Sequence, residues 1–408
     1  MAGKLVQLQR QRSRKPGTLL FIALVAITLV GPLSIHMFLP ALPHVRHAFA
    51  VDEATAQLTF SLAMMVMAFA TLVYGSLSDQ YGRLPVLLGG LALFSLGALI
   101  AVMAPNISVL IIGRLVQGAG AACGLVLARV IIRDVYGLHK LGKMIAYLTA
   151  AYVIGPLTAP LIGGLLTDYF GWQSILILPA IFGVVAIVIA LVIIGETGSP
   201  SRTVQPNLID SYWRLFAKRL FVLYAFAPPF GSGAFFALGT AAAYLTIEVL
   251  GRSTTEFGLL FMFGPAGYLA GNYLSGRLDD RFPRNFLIIV GSVISLCGAA
   301  VLIILTTAIG ITMFGVFGPF ALLSIGQGLV MPHSQAAAIA QQPTLTGTAS
   351  GIVVFLQFMF IAGSTQLVSI LSDGTATPML VVVTACTVLG FACSTSAVTL
   401  SKRRPPDC

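Results

Sequence analysis

Two short charged loops are the first candidates for chemistry in an otherwise apolar sequence. The first reads Gly75-Ser-Leu-Ser-Asp79-Gln-Tyr-Gly82-Arg83, and a partial copy recurs as Gly276-Arg-Leu-Asp-Asp280-Arg-Phe-Pro-Arg284. In both loops a Gly is followed four residues later by Asp and eight residues later by Arg. Helix dipoles favour a carboxylate near a helix N-terminus, and arginine can bond it with charge assistance. Each loop could therefore hold two helices together in one state and release them in another, which an ordinary solvated loop would not do.

Arg114 and His36 are ionisable residues that lie inside apolar segments. Arginine keeps its proton and acts as a fixed positive charge, whereas histidine exchanges a proton with an ordinary pKa of about 6.5. Such groups are costly within a membrane and usually face a bundle interior or a wet cavity. Both residues are therefore candidates for a functional site, and the histidine can carry a proton. The alternatives are an arginine satisfied by backbone carbonyls and a histidine that only bonds a neighbouring helix.

The elements that position these residues must be membrane-spanning helices. The 408 residues are 57% hydrophobic and 9% charged, whereas a soluble domain is about 25% charged. Long segments carry no charge at all, as in Thr18 to Ile35, Leu84 to Gly113 and Trp172 to Gly195. About 18 or more apolar residues can cross a bilayer, and lipid requires every backbone polar group to be bonded internally. The chain is therefore predicted to be an all-α polytopic membrane protein.

The apolar runs predict twelve spans in two pseudo-symmetric six-helix bundles. A polar stretch at 196–218 separates the bundles, which we place at 19–195 and 219–400, with tails at 1–18 and 401–408. Internal repeats of this kind are a common transporter plan, with the binding site at the repeat interface. The predicted spans lie near 19–42, 56–77, 85–104, 108–133, 143–167, 173–195, 219–248, 255–276, 286–307, 310–340, 348–371 and 376–400.

The net charge of +10 reflects membrane topology rather than nucleic-acid binding. Most of the 23 Lys and Arg residues fall in the tails, the central linker and the loops on one side of the predicted spans. The opposite side receives Arg46 and Arg252, and Arg114 lies within a span. The positive-inside rule then places both termini in the cytoplasm of a multi-pass protein of the cell inner membrane. The basic start is not interpreted as a cleaved secretory signal, because further spans follow it.

Prolines mark two spans in matching positions of the two halves. Pro32, Pro40 and Pro43 fall in or at the end of the first span, and Pro228 and Pro229 fall in the seventh. Proline lacks the N–H of a helical hydrogen bond and should kink or break both helices. Either tolerated kinks or gating bends would account for them.

No cofactor or metal is expected. The five cysteines show no CxxC or metal-ligand spacing and are interpreted as small packing residues: Cys123, Cys297, Cys386, Cys393 and Cys408. No HExxH, G-x-S-x-G or nucleotide-binding loop is present, and Gly118-Ala-Gly120 lies inside a span rather than in a dinucleotide site. We therefore do not expect an enzyme.

The first loop resembles the major facilitator superfamily signature G-x-L-[AS]-D-x-x-G-R. Within that superfamily the chain looks like the Bcr/CflA-type exporters of the drug:proton antiporter group. The segment from Gly113-Arg114 through Gln117-Gly118 to Gly120 resembles the family's span-4 motif. Ala128-Arg129-Val-Ile-Ile-Arg133-Asp134 resembles its span-4 exit. The span-5 antiporter motif is matched by Gly155, Pro156, Pro160, Gly163 and Gly164.

The resemblance implies a monomer that exports small drug-like molecules by alternating access, driven by protons. It also implies roles for Arg114, His36 and Gln117 in coupling or substrate contact, and for Gly75, Asp79, Gly82, Arg83, Arg133, Asp134, Asp280 and Arg284 in a conformational latch. Spans 1, 5 and 7 border the central cavity in this superfamily, so six aromatic residues could line it, with lipid or core packing as the alternative for each: Phe38, Tyr147, Tyr152, Phe235, Phe236 and Tyr244.

His36 departs from the family pattern, which usually has Asp at this position. Histidine is neutral or positive, so the sign of a cavity that it lines with Arg114 changes. We therefore expect neutral, zwitterionic or anionic substrates and poor export of permanently cationic ones. Alternatives are a metabolite exporter or uptake symporter of the same fold, or a non-transporting receptor or scaffold.

Overall fold

A computed structural model describes residues 17–198, 208–342 and 345–402. Within these ranges all regular structure is helical, and eleven helices are long and apolar enough to cross a membrane. Many of their apolar side chains are exposed, as in Leu96 (52%), Val188 (53%) and Leu191 (60%). Outward-facing apolar side chains are what a lipid environment requires. Of the basic residues in the two terminal tails, Lys402 is described as the last residue of its helix, and the others lie outside the described ranges, as does Arg202.

The chain forms two compact units. The first comprises residues 1–49 and 58–204, and the second comprises residues 50–57 and 205–408. The helices described between residue 17 and the central linker are α1 (Thr18–His36), α2 (Leu42–Phe49), α3 (Glu53–Tyr81), α4 (Arg83–Val102), α5 (Ile107–Tyr136), α6 (Leu138–Phe170) and α7 (Ser174–Ile193).

The remaining described helices belong to the second unit. They are α8 (Leu208–Phe216), α9 (Arg219–Tyr244), α10 (Thr254–Phe261), α11 (Phe263–Leu278), α12 (Arg284–Ala308), α13 (Met313–Ala340), α14 (Thr346–Ile370) and α15 (Thr377–Lys402). The short α8 joins the core through Leu215, which is buried in a cluster with Phe221 of α9 and Val353 of α14. Lys218, between α8 and α9, donates to the Gln341 carbonyl at 2.8 Å.

Glycines bring equivalent helices together in both units. In the first unit, a Cβ added to Gly97 of α4 would lie 2.2 Å from the Gln117 backbone nitrogen of α5. In the second, a Cβ on Gly298 of α12 would lie 2.7 Å from the Leu323 nitrogen of α13. Membrane helices approach this closely only where small residues line the contact. Each half thus repeats a tight helix pair directly after its charged loop.

The predicted eighth span is divided into two helices. Helix α10 ends at Phe261 and α11 begins at Phe263, so neither alone has the length of a span. Pro265 has no N–H to donate to the Phe261 carbonyl four residues earlier, which removes a hydrogen bond at this point. The apolar run correctly located the segment, and the proline explains why it is not one continuous helix.

The prolines act differently in the first and seventh predicted spans. Helix α1 continues through Pro32 and ends at His36, and a 3₁₀ turn at Leu39–Ala41 containing Pro40 leads into α2. The first predicted span is therefore interrupted near Pro40, as the prolines predicted, and not at Pro32. Helix α9, in contrast, continues from Arg219 through Pro228 and Pro229 to Tyr244. It then changes to a π-helical turn at Leu245–Val249.

Candidate functional site

The first charged loop is a one-residue turn between two long helices. Helix α3 ends at Tyr81 and α4 begins at Arg83, so Gly82 alone reverses the chain, with φ +96°. This is a region of backbone conformation that side chains with a Cβ rarely adopt. This angle agrees with the prediction that Gly82 provides the backbone conformation of a tight turn. Gly75, one and a half turns before the end of α3, accepts a hydrogen bond from the Ser78 hydroxyl at 2.8 Å.

The Arg83 side chain joins three helices. Its Nη1 donates to Asp79 Oδ1 at 2.6 Å and to Ser78 Oγ at 2.7 Å, both on α3. Its Nε donates to Asp134 Oδ2 on α5 at 3.0 Å. The Arg83 side chain is only 8% exposed, so these charge-assisted bonds form largely away from bulk water. The structure thus brings together three residues of the predicted latch, Asp79, Arg83 and Asp134.

Arg133 is the outer member of this group. Its Nε lies 3.6 Å from Asp134 Oδ1, and its side chain is 52% exposed. Exposed ion pairs contribute about 0–1 kcal/mol, so Arg133 holds Asp134 less firmly than Arg83 does.

Glu196 completes the cluster and was not among the predicted site residues. Its Oε1 accepts from the backbone nitrogens of Arg83 and Gly198, both at 2.8 Å, and its Oε2 accepts from Leu84 at 3.1 Å. The first N–H groups of a helix have no partner within the helix, so Glu196 caps α4 from a distant part of the chain. Sequence alone showed only an acid at the end of a span.

The second charged loop lacks this cluster. Asp280 and Arg284 are both exposed, and in the part of the chain that the structure describes no ion pair joins them. Arg284 begins α12, as Arg83 begins α4. The sequence repeat therefore retains the position of the arginine at the helix start without its network.

Arg114 lies on α5 and is 2% exposed. Its Nη1 donates to Gln117 Oε1 at 2.6 Å and to Ser34 Oγ of α1 at 3.4 Å, and its Nε donates to the Thr59 carbonyl of α3 at 3.3 Å. The guanidinium carbon lies 4.2 Å from the centroid of the Phe38 ring. A cation over an aromatic face is attracted by the ring quadrupole.

The partners of Arg114 are all formally neutral. Among the described residues no carboxylate forms an ion pair with Arg114, and its Nη2 is buried without a hydrogen-bond partner. One backbone carbonyl contacts it, so the alternative of an arginine satisfied by several carbonyls accounts for only part of its bonding capacity. The first unit therefore contains a buried positive charge with one N–H₂ group available.

Gln117 contacts Arg114 directly, and His36 lies two residues after Ser34, which Arg114 also bonds. Gln117 is 2% exposed and bonds Arg114 directly. His36 is the last residue of α1 and is 5% exposed, two residues after Ser34. The structure thus brings Arg114, Gln117 and Phe38 together, with His36 at the end of the helix that supplies Ser34.

The predicted span-5 motif packs α6 against the end of α1. A Cβ on Gly155 would lie 2.9 Å from Pro32 Cβ, and a Cβ on Gly163 would lie 2.3 Å from the Met37 carbonyl oxygen. Helix α6 continues through Pro156 and Pro160, and Gly164 follows in the same helix. The motif is therefore a close contact with the segment that carries His36 and Phe38.

The six predicted cavity aromatics fall in different surroundings. Phe38 is buried under Arg114, Tyr147 is 51% exposed, and Tyr152 is half-buried. In the second unit Tyr244 is buried and Phe236 is half-buried. Phe235 is 7% exposed and packs against Phe261 and Phe320 with ring centroids 5.8 and 4.7 Å apart. That aromatic cluster corresponds to the core-packing alternative for Phe235.

The second unit also contains a small, partly open cavity between α9, α12, α13 and α15. Its lining is mainly apolar and includes Ser292, Gln327, Cys386 and Thr387. Gln327 Nε2 donates to Ser232 at 3.0 Å. None of the six predicted aromatics lines this cavity, whose residues are dispersed over four helices and leave no local sequence pattern.

Comparison with known proteins gives this architecture a family. The model of the Major Facilitator Superfamily matches residues 24–365. The chain is 27% identical over 389 residues to a bicyclomycin resistance protein homolog of Haemophilus influenzae, covering 92% of this chain and 96% of that protein. It is 29% identical over 343 residues to multidrug resistance protein D of Escherichia coli, covering 83% and 85% of the two chains.

Solved structures match over nearly the whole length. A bacterial homolog of the human lysosomal transporter Spinster, inward-facing and unoccupied, gives a TM-score of 0.76 at 15% identity, covering 95% of this chain and 98% of that chain. The peptide transporter POT in complex with sulfate gives 0.76 at 13% identity, covering 97% and 98%. Identities this low establish the fold alone. Together with the family match, they show that the chain is a transporter-type membrane protein that belongs to the major facilitator superfamily.

Proposed function

We propose that this chain is a proton-coupled exporter of small drug-like molecules that works by alternating access. The names of its relatives in Haemophilus influenzae and Escherichia coli support a drug-resistance role. The proposed substrates are neutral, zwitterionic or anionic. A ligand can drive such a cycle only through different affinities for the two states, so protonation must change substrate binding or the preferred state.

The buried Arg114 is the observation that carries the substrate preference. Its Nη2 lacks a partner, and no described carboxylate neutralises it. Removing a charge from water costs several kcal/mol per ion, and an anionic or polar substrate group would offset part of that cost. A permanently cationic substrate would add to it.

Arg129 supports the same preference. It lies four helical turns from Arg114 on α5, its Nε is buried without a hydrogen-bond partner, and no described carboxylate forms an ion pair with it. The first unit therefore carries two inward positive charges on one helix. Phe38 and Gln117 would supply the apolar surface and the polar contact beside Arg114.

The loop cluster is the proposed conformational latch. Arg83 connects α3, α4 and α5, and Arg133 adds an outer contact. A latch must break and reform during the cycle, and the 43% exposure of Asp79 gives water access to one side of this one. Asp280 and Arg284 could contribute in the second half only in a state in which they approach partners that they lack here.

We infer an inner-membrane location with both termini cytoplasmic, because the sequence places most basic residues on one side of the spans. A single chain contains both six-span halves divided by the 196–218 linker, so a monomer suffices for transport. Fusing alkaline phosphatase to the C-terminus tests the orientation. An active fusion would contradict it, since that enzyme requires export from the cytoplasm.

Drug tolerance of pump-deficient bacteria that express the chain tests the proposed function. The panel contains phenicols, sulfonamides, fosfomycin-like anions and quaternary ammonium dyes. We expect raised tolerance to neutral or anionic compounds. It should fall at least tenfold in Arg114→Gln, since a buried charged contact is worth about 1.5–3 kcal/mol. Arg252→Gln is the matched control, because that arginine is 55% exposed and pairs only loosely with Glu256 at 3.9 Å.

Two outcomes would contradict the proposal. Strong tolerance to quaternary dyes would overturn the cation-averse cavity while leaving export intact. Tolerance to nothing, with the protein shown in the membrane, would favour the second candidate, a metabolite exporter or proton symporter of the same fold. The direction of substrate movement in vesicles with an imposed pH gradient separates export from symport.

A further inference from the structure

A polar cluster in the second unit joins Asp279 of the second charged loop to two residues that the sequence did not single out, Ser275 and His333. The His333 Nε2 lies 2.8 Å from Ser275 Oγ, and its Nδ1 lies 3.6 Å from Asp279 Oδ1. The His333 side chain is 7% exposed, whereas the Asp279 side chain is 61% exposed. A buried imidazole is thus linked to the surface through a carboxylate.

Close helix packing creates this cluster. Ser275 lies on α11, Asp279 directly follows that helix, and His333 lies on α13. A Cβ on Gly271 would lie 2.1 Å from the Ile325 carbonyl oxygen, so the two helices touch one turn before Ser275. The backbones are therefore close enough for a short serine side chain to reach the imidazole.

The cluster can hold His333 in either charge state. Nε2 of His333 hydrogen-bonds the Ser275 hydroxyl at 2.8 Å, whereas Nδ1 lies 3.6 Å from the Asp279 carboxylate, beyond hydrogen-bond distance. On protonation, hydronium gives one proton to the imidazole and leaves as water, and the Ser275 oxygen accepts from Nε2–H. A hydroxyl can donate or accept, so the Ser275 bond is kept when the proton enters or leaves, and the negative charge of Asp279 lies close to the imidazolium.

Few other charges act on His333. Burial is the largest effect on His333 and disfavours its cationic form; Asp279 attracts that form, and Arg284 at the start of α12 repels it. Among the helices packed on α13, α14 carries no charged residue and α9 carries only Arg219, at its first position. The nearby tyrosines have partners elsewhere: Tyr224 donates to Asn285 at 2.9 Å and Tyr268 to Met331 Sδ at 3.2 Å.

The order Ser–His–Asp is also that of hydrolase triads. A nucleophilic serine must be reachable by its substrate, but Ser275 is 3% exposed and its hydroxyl points to the imidazole within the helix contact. Proton exchange requires only that water reach the cluster, and the exposed Asp279 provides that access. The geometry therefore favours proton exchange over acyl transfer.

We propose that His333, with Ser275 and Asp279, is a proton-binding site that takes up and releases protons at the side of the membrane that holds the second charged loop. This role rests on the proposed proton coupling and identifies the residue that carries the proton. His36 then contributes to the cavity lining near Arg114 rather than to proton transfer.

The direct test is a titration of histidine signals by NMR, using full-length protein labelled with ¹³C,¹⁵N-histidine in nanodiscs. One signal is assigned to His333 by its loss in His333→Gln, and His47→Gln assigns an exposed reference. We expect the His333 signal to titrate between about pH 5 and 8, where histidine ordinarily changes charge. A His333 signal that stays constant over that range would overturn the proposal.

Neighbouring carboxylates provide a matched pair for the same titration. Asp279→Asn should lower the titration midpoint of His333 by about one pH unit, because an opposite charge within about 4–6 Å favours the charged form by 1–3 units. Asp280→Asn removes the adjacent exposed charge and should leave the midpoint nearly unchanged. Equal effects of the two variants would contradict a specific role for Asp279.

A transport assay then separates the two proposals. Accumulation of chloramphenicol in inverted vesicles is measured as a function of an imposed pH gradient. The response to the gradient should fall at least tenfold in His333→Gln, whereas His47→Gln, at an exposed histidine outside the proposed cavity, should retain it. A gradient response unchanged in His333→Gln would overturn the site while leaving export intact. If wild-type vesicles accumulate nothing, the proposed function fails, but the titration still decides whether His333 exchanges protons.

Discussion

The two charged loops have related sequences but different surroundings. In the first, Arg83 is 8% exposed and bonds Asp79, Ser78 and Asp134. In the second, Arg284 occupies the same place at a helix start and is exposed. The difference comes from the partner helices, because α5 carries Asp134 in its last turn whereas α13 contains no acidic residue.

The comparison indicates that the two copies of the motif serve different roles. The first half keeps permanent charges in a closed network, which suits a mechanical contact. The second half places the buried, titratable imidazole of His333 next to Asp279, which suits proton exchange. The repeat retained the arginine at the helix start but not the one-residue turn, since residues 279–283 separate the two helices of the second loop.

The largest expected effect distinguishes the two arginines. Arg83→Ala leaves Asp134 without its main cation and should destabilise the protein by about 3 kcal/mol, at the lower end for a buried pair because Asp79 is 43% exposed. Arg284→Ala should cost less than about 0.5 kcal/mol, since exposed side chains outside networks contribute little. Thermal unfolding in detergent measures both. Equal losses would mean that the second loop has a network like that of the first.

The next effect concerns the turn itself. Gly82→Ala should destabilise by about 1–2 kcal/mol, because φ is +96° and the added Cβ would lie 2.6 Å from Glu196 Oε2. Gly75→Ala is the control within α3, where a Cβ meets nothing within 4 Å. In that helix alanine should be neutral or slightly stabilising. Similar melting temperatures for the two variants would show that the turn tolerates a side chain.

The smallest expected effect concerns the cap that Glu196 provides at the N-terminus of α4, next to the first charged loop. Glu196→Gln keeps one acceptor oxygen, for the N–H of either Arg83 or Leu84, but removes the other and the charge, and should cost about 1 kcal/mol. Glu196→Ala removes the acceptor and should cost more. Hydrogen exchange of the first turn of α4, followed by mass spectrometry, reports the loss locally. Unchanged exchange in the alanine variant would contradict the capping role.

The sequence predicted the spans, the loop and the Asp79–Arg83 contact, because hydropathy and short-range spacing determine them. It did not predict the cap by Glu196, since that residue lies 113 residues after Arg83 in the sequence and reaches α4 only through tertiary packing. His333 was missed for the same reason: a single histidine in an apolar run does not reveal that Ser275 and Asp279 lie beside it. The break at Met262 was readable from Pro265, although the apolar run concealed it.

Glu196 has a mechanical consequence for the chain that leaves the first half. The same carboxylate holds the N–H of Gly198, five residues past the end of α7, and the N-terminus of α4. A force transmitted along the backbone from the linker therefore acts on the first turn of α4, where Arg83 is bonded, before it reaches the end of α7. The polypeptide connection between the halves is thus attached to the loop cluster, and tension in it would be felt first by the contacts of Arg83.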